Sequence, residues 1–292
     1  MNGLKARLFV GLQYLLPRYW MTSAVYRISR VRQKHIKNLL INKFIRLFNV
    51  DVSDAAGEVP ADYLTFNDFF TRELASGARV VDSSNLAVVS PVDGTVSAAG
   101  AISEGMLIQA KGHRYSLQDL LATDLDECAN FDGGHFITVY LAPDNYHRVH
   151  APLAGHLNAA RYVPGDLFSV NAATVSHVPG LFARNERLVC HLTTDIGPLA
   201  VLLVGALNVG SITTPWTGEI RPRANGMVEE LNLKTAPATR ALAKGDLLGW
   251  FNMGSTVIVL LPRGAAALDQ HLVAGAPVRM GQSLATLRSI AP

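Results

Sequence analysis

Three short pieces of this chain carry side chains that can do chemistry together: Pro91-Val92-Asp93-Gly94, Tyr146-His147-Arg148-Val149-His150 and Gly254-Ser255-Thr256. A serine hydroxyl is a weak nucleophile until a base takes its proton, and histidine does that near neutral pH. A carboxylate set on the histidine fixes its tautomer and stabilises the imidazolium. Glycine before the serine removes a side chain from the carbonyl under attack and permits a strained turn. An acid, a base and a serine of this kind could cut the chain's own backbone and turn Ser255 into a carbonyl cofactor. The same three could instead form a serine hydrolase acting on other molecules, in which Ser255 stays intact and reacts with fluorophosphonate probes. Singly they say less. Asp93-Gly94 is an ordinary turn dipeptide, and His147 and His150 could share a face as metal ligands, but no third ligand cluster accompanies them and no metal is expected.

These pieces have to be positioned, and the texture of the chain from residue 88 onward indicates how. Short β-rich runs alternate with glycine turns, among them Gly94, Gly100, Gly112, Gly155, Gly180, Gly197, Gly210 and Gly245. That spacing predicts a mainly β fold of the α+β class, with a compact, mostly antiparallel barrel or sandwich as its catalytic core. The apolar stretch Leu199–Leu207 is too short to span a bilayer and reads as a buried strand. Ser255 falls inside another apolar run, 247–260. Ser116–Leu121 reads as one inserted helix with a serine cap, and Phe66–Leu74 as a short helix with an aromatic face. Val92–Val96 and Lys244–Gly249 are similar turn-plus-strand units. They suggest a duplicated β core and are like turns of lipoyl and biotinyl carriers, so a non-catalytic carrier-type module is a further reading. No lysine with the right flanks stands at a hairpin tip.

The front of the chain is different. Residues 1–50 hold ten Lys or Arg and no acid, which leaves 16 basic and 23 acidic residues in the remainder, a balance of −7 against +3 for the whole. Leu4, Leu8, Leu12 and Leu15 recur at helical spacing, and Ile36, Leu39, Leu40, Phe44, Leu47 and Phe48 repeat the pattern. Pro17 should end or kink the first helix, giving two or three short ones. Cations on one face, apolar residues on the other, and Tyr14, Tyr19 and Trp20 near the boundary suit helices lying in an anionic headgroup layer. Packing on the chain's own body, nucleic-acid binding and a transit peptide are the competing readings. No base-reading pattern accompanies the charge, so nucleic acid is not expected, and a transit peptide would carry more serine. A polar joint over 51–61 separates this region, 1–61, from a β-rich catalytic domain, 62–292. Two cysteines cannot make a disulfide framework.

The order of motifs along almost the whole chain resembles that of phosphatidylserine decarboxylases of the bacterial, membrane-associated type. The resemblance runs from the basic start through Phe66–Phe70, Lys111-Gly112-His113-Arg114-Tyr115-Ser116-Leu117, Tyr146–His150, Tyr162–Asn171, Leu181–Arg187, Val204-Gly205-Ala206 and Val209–Ile212 to Gly254-Ser255-Thr256. At the last motif Met253 stands where the family usually has leucine, a near-isosteric apolar exchange. The resemblance implies that His150, oriented by Asp93, activates Ser255 against the Gly254 carbonyl. The chain then separates into a β chain, 1–254, and an α chain of 38 residues, 255–292. It also implies a covalent pyruvoyl group made from Ser255, which forms a Schiff base with phosphatidylserine and releases carbon dioxide to give phosphatidylethanolamine. His147 is the expected proton donor and Tyr140 the alternative. Arg148, and Phe168 and Ser169 in the Gly165–Asn171 loop, are set against the glycerophosphate. A homodimer, peripheral on the cytoplasmic face of the bacterial inner membrane, completes the expectation.

Overall fold

Three helices open the chain, α1 (Gly3–Leu15), α2 (Arg18–Ser29) and α3 (Lys34–Phe48), with the first break at Pro17. A computed structural model describes residues 3–288 except Lys111, Asn225 and Thr235, so Lys111 of the 111–117 motif lies outside the described residues. The Gln33 side chain caps α3 by accepting from Ile36 N, and Asn49 ends it in the left-handed region. The aromatic helix is short, α4 (Phe66–Phe70), started by Thr65 accepting from Asp68 N. Ser116 caps α5 (Leu117–Leu121) in the same way from Asp119 N.

The body is antiparallel β structure. Its large sheet orders β1 (Gly94–Ala101), β2 (His135–Tyr140), β4 (Gly155–Val163), β5 (Arg187–Thr194), β6 (Gly197–Val204), β8 (Thr256–Leu261) and β9 (Pro277–Val278) as β4-β5-β6-β8-β2-β1-β9. β8 is thus an inner strand, paired through Ile258 with Leu202 of β6 and with Thr138 of β2. It is fully apolar after Thr256 and buried along its whole length, as a strand covered on both faces must be. A smaller sheet holds β3 (Arg148–His150) against β7 (Leu247–Phe251). A third joins 283–287 to 87–89 and 266–268. The two turn units that look alike in sequence therefore serve different sheets, one entering β1 and the other β7.

The helices lean on this body. Gln13 of α1 is buried, donates to Thr174 Oγ1 at 3.1 Å and accepts from Ser169 N at 2.8 Å. Arg18 pairs with Asp166 at 2.9 Å, and Arg30 with Glu219 at 2.6 Å. Phe44 of α3 packs edge-on to Phe66 and Phe70 of α4. Contacts thus cross the composition boundary at residue 61. The leucine stripe of α1 faces the other way: Leu4, Leu8 and Leu15 are 81%, 74% and 82% exposed, and Trp20 of α2 is 82% exposed. None of the described helices is long and apolar enough to cross a membrane.

Candidate active site

Gly254 and Ser255 lie on the connection from β7 to β8, at the step from the small sheet to the large one, and not in mid-strand. Asn252 pins the approach. Its N–H donates to Ser211 O at 3.0 Å, its side-chain amide donates to Ser211 Oγ at 2.7 Å, and its carbonyl accepts from Asn67 at 2.8 Å. On the far side Ser255 O accepts from Leu141 N at 2.9 Å, extending the β2–β8 ladder by one rung. Gly254 is outside the left-handed region. A Cβ built on it would rest 3.5 Å from His147 Cε1, an ordinary contact. The expected strained turn is therefore absent; what Gly254 provides is an open approach to the His147 ring. The Ser255 hydroxyl is buried and has no hydrogen-bond partner, a state that native interiors rarely keep without a functional reason.

His147 is fully buried, with its ring stacked on Phe70 of α4 at 4.0 Å and 20°. Neither ring nitrogen has a hydrogen-bond partner. Burial, reinforced by the Arg72 charge, pushes its pKa down to about 3; the Ala142 and Pro143 carbonyls oppose that shift without reaching hydrogen-bond geometry. His147 is accordingly a neutral imidazole with a free lone pair beside Gly254.

His150 is held on every side. The turn before β1 receives its backbone N–H (Pro91 O, 2.9 Å), and the turn before β7 accepts its Nδ1 (Gly245 O, 2.8 Å). The Tyr146 hydroxyl stands 3.0 Å from Nε2, with the two rings nearly parallel. Burial lowers the His150 pKa, and Arg148 adds to that, while the Gly245 carbonyl and the charges of Asp93 and Asp246 oppose it. The two similar turn units thus meet at this histidine, which gives their likeness a local meaning.

Asp93 is buried at the mouth of β1. A Cβ at the next residue, Gly94, would press on the Tyr140 carbonyl and stand 2.7 Å from Val139 Cγ1, so only glycine lets β1 close on β2 there. The Asp93 carboxylate accepts from Arg79 Nε at 3.0 Å and Nη2 at 2.5 Å, and from Met280 N at 2.8 Å. Arg79 also reaches Asp54 at 2.7 Å. Asp93 is close enough for its charge to act on His150, but its hydrogen bonds go to Arg79 and Met280 and the His150 Nδ1 bond goes to Gly245.

Tyr140 pairs in register with Thr256 and Thr95, beside the junction. Burial raises its pKa, and its side chain lines a cavity of about 340 Å³ with Thr95, Ser97, Val175 and Gly275. Arg148 donates to Thr71 O at 2.9 Å and to Glu73 at 2.8 Å, at the edge of an open cavity of about 410 Å³. Phe168 is fully buried, with the Arg18 guanidinium 3.8 Å above its ring, and Ser169 binds Gln13 and Thr174. Both belong to the seat of α1 and α2. Among the described residues no group of three or more His, Cys, Asp or Glu could hold a metal ion.

Sequence reading gave no part to Arg79, Gly245 or the Tyr146 hydroxyl. Tyr146 lies in the histidine motif and was open to notice. Nothing in the spacing of Arg79 points to Asp93, fourteen residues on.

Comparison with known proteins bears on this geometry. The family profile described as phosphatidylserine decarboxylase matches residues 66–286, and a second, described as PSD, matches residues 8–49. A phosphatidylserine decarboxylase proenzyme of Bordetella pertussis is 46% identical over 98% of this chain and 97% of its own length. The proenzymes of Saccharophagus degradans and Alcanivorax borkumensis are 43% and 47% identical, the first over 98% of this chain and 99% of its own length, the second over 95% of each.

Proposed function

The chain belongs to the phosphatidylserine decarboxylase family, and on that premise we propose that it is a precursor that cuts itself between Gly254 and Ser255 and then converts phosphatidylserine to phosphatidylethanolamine. The observation that carries the proposal is the buried, partnerless Ser255 hydroxyl on an inter-sheet connection, next to Gly254 and the neutral His147 that adjoins it.

His150 takes the Ser255 Oγ proton, and Oγ bonds to the Gly254 carbonyl carbon. The Gly254–Ser255 peptide bond breaks to an ester and a free amine. Loss of the proton on Cα of residue 255 expels Gly254 as a carboxylate. A water then supplies the keto oxygen as ammonia leaves. The residues present suit a pyruvoyl group at position 255: the site is buried, the residue before it has no side chain, and β8 is fixed on both edges. Such a group supplies an electrophilic carbonyl for the headgroup amine and a sink for the electrons that carbon dioxide leaves behind. His147 returns a proton to the substrate carbon, with Tyr140 as the alternative donor. Burial keeps His147 unprotonated, so the anionic headgroup has to raise its pKa on arrival before it can donate.

An exchange of roles between the histidines is the second reading. His147 touches the Gly254 position and has free nitrogens, whereas both nitrogens of His150 are engaged. His150→Ala should block chain cleavage and His147→Ala should spare it while impairing decarboxylation; the opposite pattern exchanges the roles.

The helical layer is the proposed membrane contact, on the cytoplasmic face of the bacterial inner membrane. Seven of its ten cations are exposed (Lys5, Arg7, Arg27, Arg32, Lys34, Lys43 and Arg46), next to the exposed leucines. Apolar area plus cationic charge favours an anionic headgroup layer. Co-sedimentation with anionic vesicles that weakens as salt rises supports this; equal binding to zwitterionic vesicles removes the electrostatic part. A homodimer is expected from the family resemblance, and sedimentation velocity in detergent tests it.

Intact mass tests the whole reading. Two chains, with the small one beginning at residue 255 and lighter by one ammonia than a serine-initiated peptide, support it. A single 31.5 kDa chain whose Ser255 takes a fluorophosphonate label points to a hydrolase instead.

A further inference from the structure

The hydrogen bonds around His150 leave a puzzle: the base assigned to Ser255 has no free acceptor, and Ser255 has no acceptor at all. Gly245 O, a carbonyl, can only accept, so Nδ1 carries the proton in its 2.8 Å bond. Burial keeps the ring neutral, so Nε2 holds the lone pair and the Tyr146 hydroxyl donates to it at 3.0 Å. Tyr146 is itself buried, and its pKa is pushed up to about 12, so the phenol is the form present. Its ring lies nearly parallel to the imidazole, at 26°. The one nitrogen of His150 that could take the Ser255 proton is occupied.

We propose that Tyr146 is a positioning residue that caps His150 Nε2 in the uncut chain and must release that nitrogen before Ser255 can use it. This rests on the reading of His150 as the base for self-cleavage. The cap serves two ends at once. With Gly245 O it fixes the tautomer and ring orientation that the reaction needs, and it holds the uncut chain back until the hydroxyl turns away. Nothing is consumed in the exchange: the Tyr146 O–H···Nε2 bond opens, the Ser255 O–H···Nε2 bond forms, and the serine proton moves to Nε2 as Oγ attacks.

The charged and titratable groups around the ring are Asp93 from the turn before β1, Asp246 from the turn before β7 and Arg148 on its own strand, with Glu73 and Arg79 beyond Tyr146. All of them remain in Tyr146→Phe, which removes one hydroxyl and keeps the stacked ring. A cap that competes with both Ser255 and a proton for the same lone pair leaves a linked signature. Removing it should raise the plateau rate of cleavage about 2- to 10-fold, the range of one net hydrogen bond. It should move the acid limb of the rate profile to higher pH by the logarithm of the same factor, about 0.3 to 1 unit. Well below that limb the two rates should coincide. A hydroxyl that merely stabilises the fold, or relays the proton, gives slower cleavage at every pH.

The experiment follows cleavage of freshly translated full-length precursor between pH 5 and 9 for the parent chain, Tyr146→Phe and His150→Ala. A faster plateau with a raised acid limb in Tyr146→Phe, and no cleavage in His150→Ala, supports the cap. An unchanged or slower plateau in Tyr146→Phe while His150→Ala remains uncut overturns the cap and leaves the base assignment standing. Continued cleavage in His150→Ala removes the base assignment, and the cap with it. A direct measurement accompanies these: in Ser255→Ala, which cannot cut, nitrogen NMR of His150 should show the Nδ1–H tautomer and a shift of the Nε2 resonance when Tyr146 becomes Phe. No shift overturns the cap without reference to rates.

Discussion

The helical layer and the β body use the same apolar residue types to opposite ends. Along β8 every residue from Val257 to Leu261 is fully buried, while Leu4, Leu8 and Leu15 of α1 are exposed on a helix whose other face, through Val10 and Gln13, is docked. Polar groups divide in the same manner. The body hides a serine and a histidine that have no partners, and the layer leaves seven cations in water. One region is made to exclude solvent from a reaction. The other leaves apolar side chains and cations exposed side by side, the surface on which the proposed membrane contact rests.

That division can be tested by perturbing one region and measuring both. The largest effect expected is from Ser255→Ala: self-cleavage and decarboxylation should both vanish on denaturing gels and in carbon dioxide release, with vesicle binding unchanged. Any loss of vesicle binding would mean the two regions are not separable. Next comes Leu260→Ala, at the centre of the large sheet, which should lower unfolding free energy by about 2–5 kcal/mol in urea.

Acidification should act through the body. His147 has an ordinary pKa of 6.5 when unfolded and about 3 in place. Above pH 6.5 it is neutral in both states and contributes no pH dependence. Below that the unfolded chain takes a proton that the folded chain refuses, so stability falls by about 1.4 kcal/mol per unit toward pH 3 from this group. The slope should shrink in His147→Gln, measured by chemical unfolding on the uncut Ser255→Ala background. Smallest in stability, and so most diagnostic, is the triple change of Leu4, Leu8 and Leu15 to Ser. Unfolding should move by no more than about 0.5 kcal/mol, while vesicle affinity drops about tenfold or more. A large loss of stability there would show that the stripe packs inward.

How much of this could be read in the chain follows from the range of the interactions. Pro17, the Ser116 cap and the apolar run of β8 are local signals, and each marks its element correctly. The break at Asn252–Ser255 was hidden, because β7 and β8 read as one apolar run and only their pairing with β3 in one sheet, and with β2 and β6 in the other, parts them. The functional motifs were legible as residue types. Their hydrogen bonding was not: Asp93 held by Arg79 and Met280, and His150 held by Gly245 and Tyr146, depend on turns brought together from distant positions. Gly254 shows the opposite error, since its type suggested strain that its backbone does not have.

If the chain is cut between Gly254 and Ser255 as proposed, the position of β8 also sets what the enzyme becomes. Before cleavage the sheet is built from a single chain, so unfolding it separates no partner and adds no dependence of the midpoint on concentration. Afterwards the strand between β2 and β6 belongs to a 38-residue partner, and the same sheet is the interface of a two-chain complex. Unfolding then releases two species, so its midpoint should rise with protein concentration. Re-formation becomes an encounter in which the small chain has to find a sheet that lacks its inner strand. On that proposal, maturation exchanges a foldable chain for one whose assembly was completed before the cut, and repair by refolding should end at the moment activity begins.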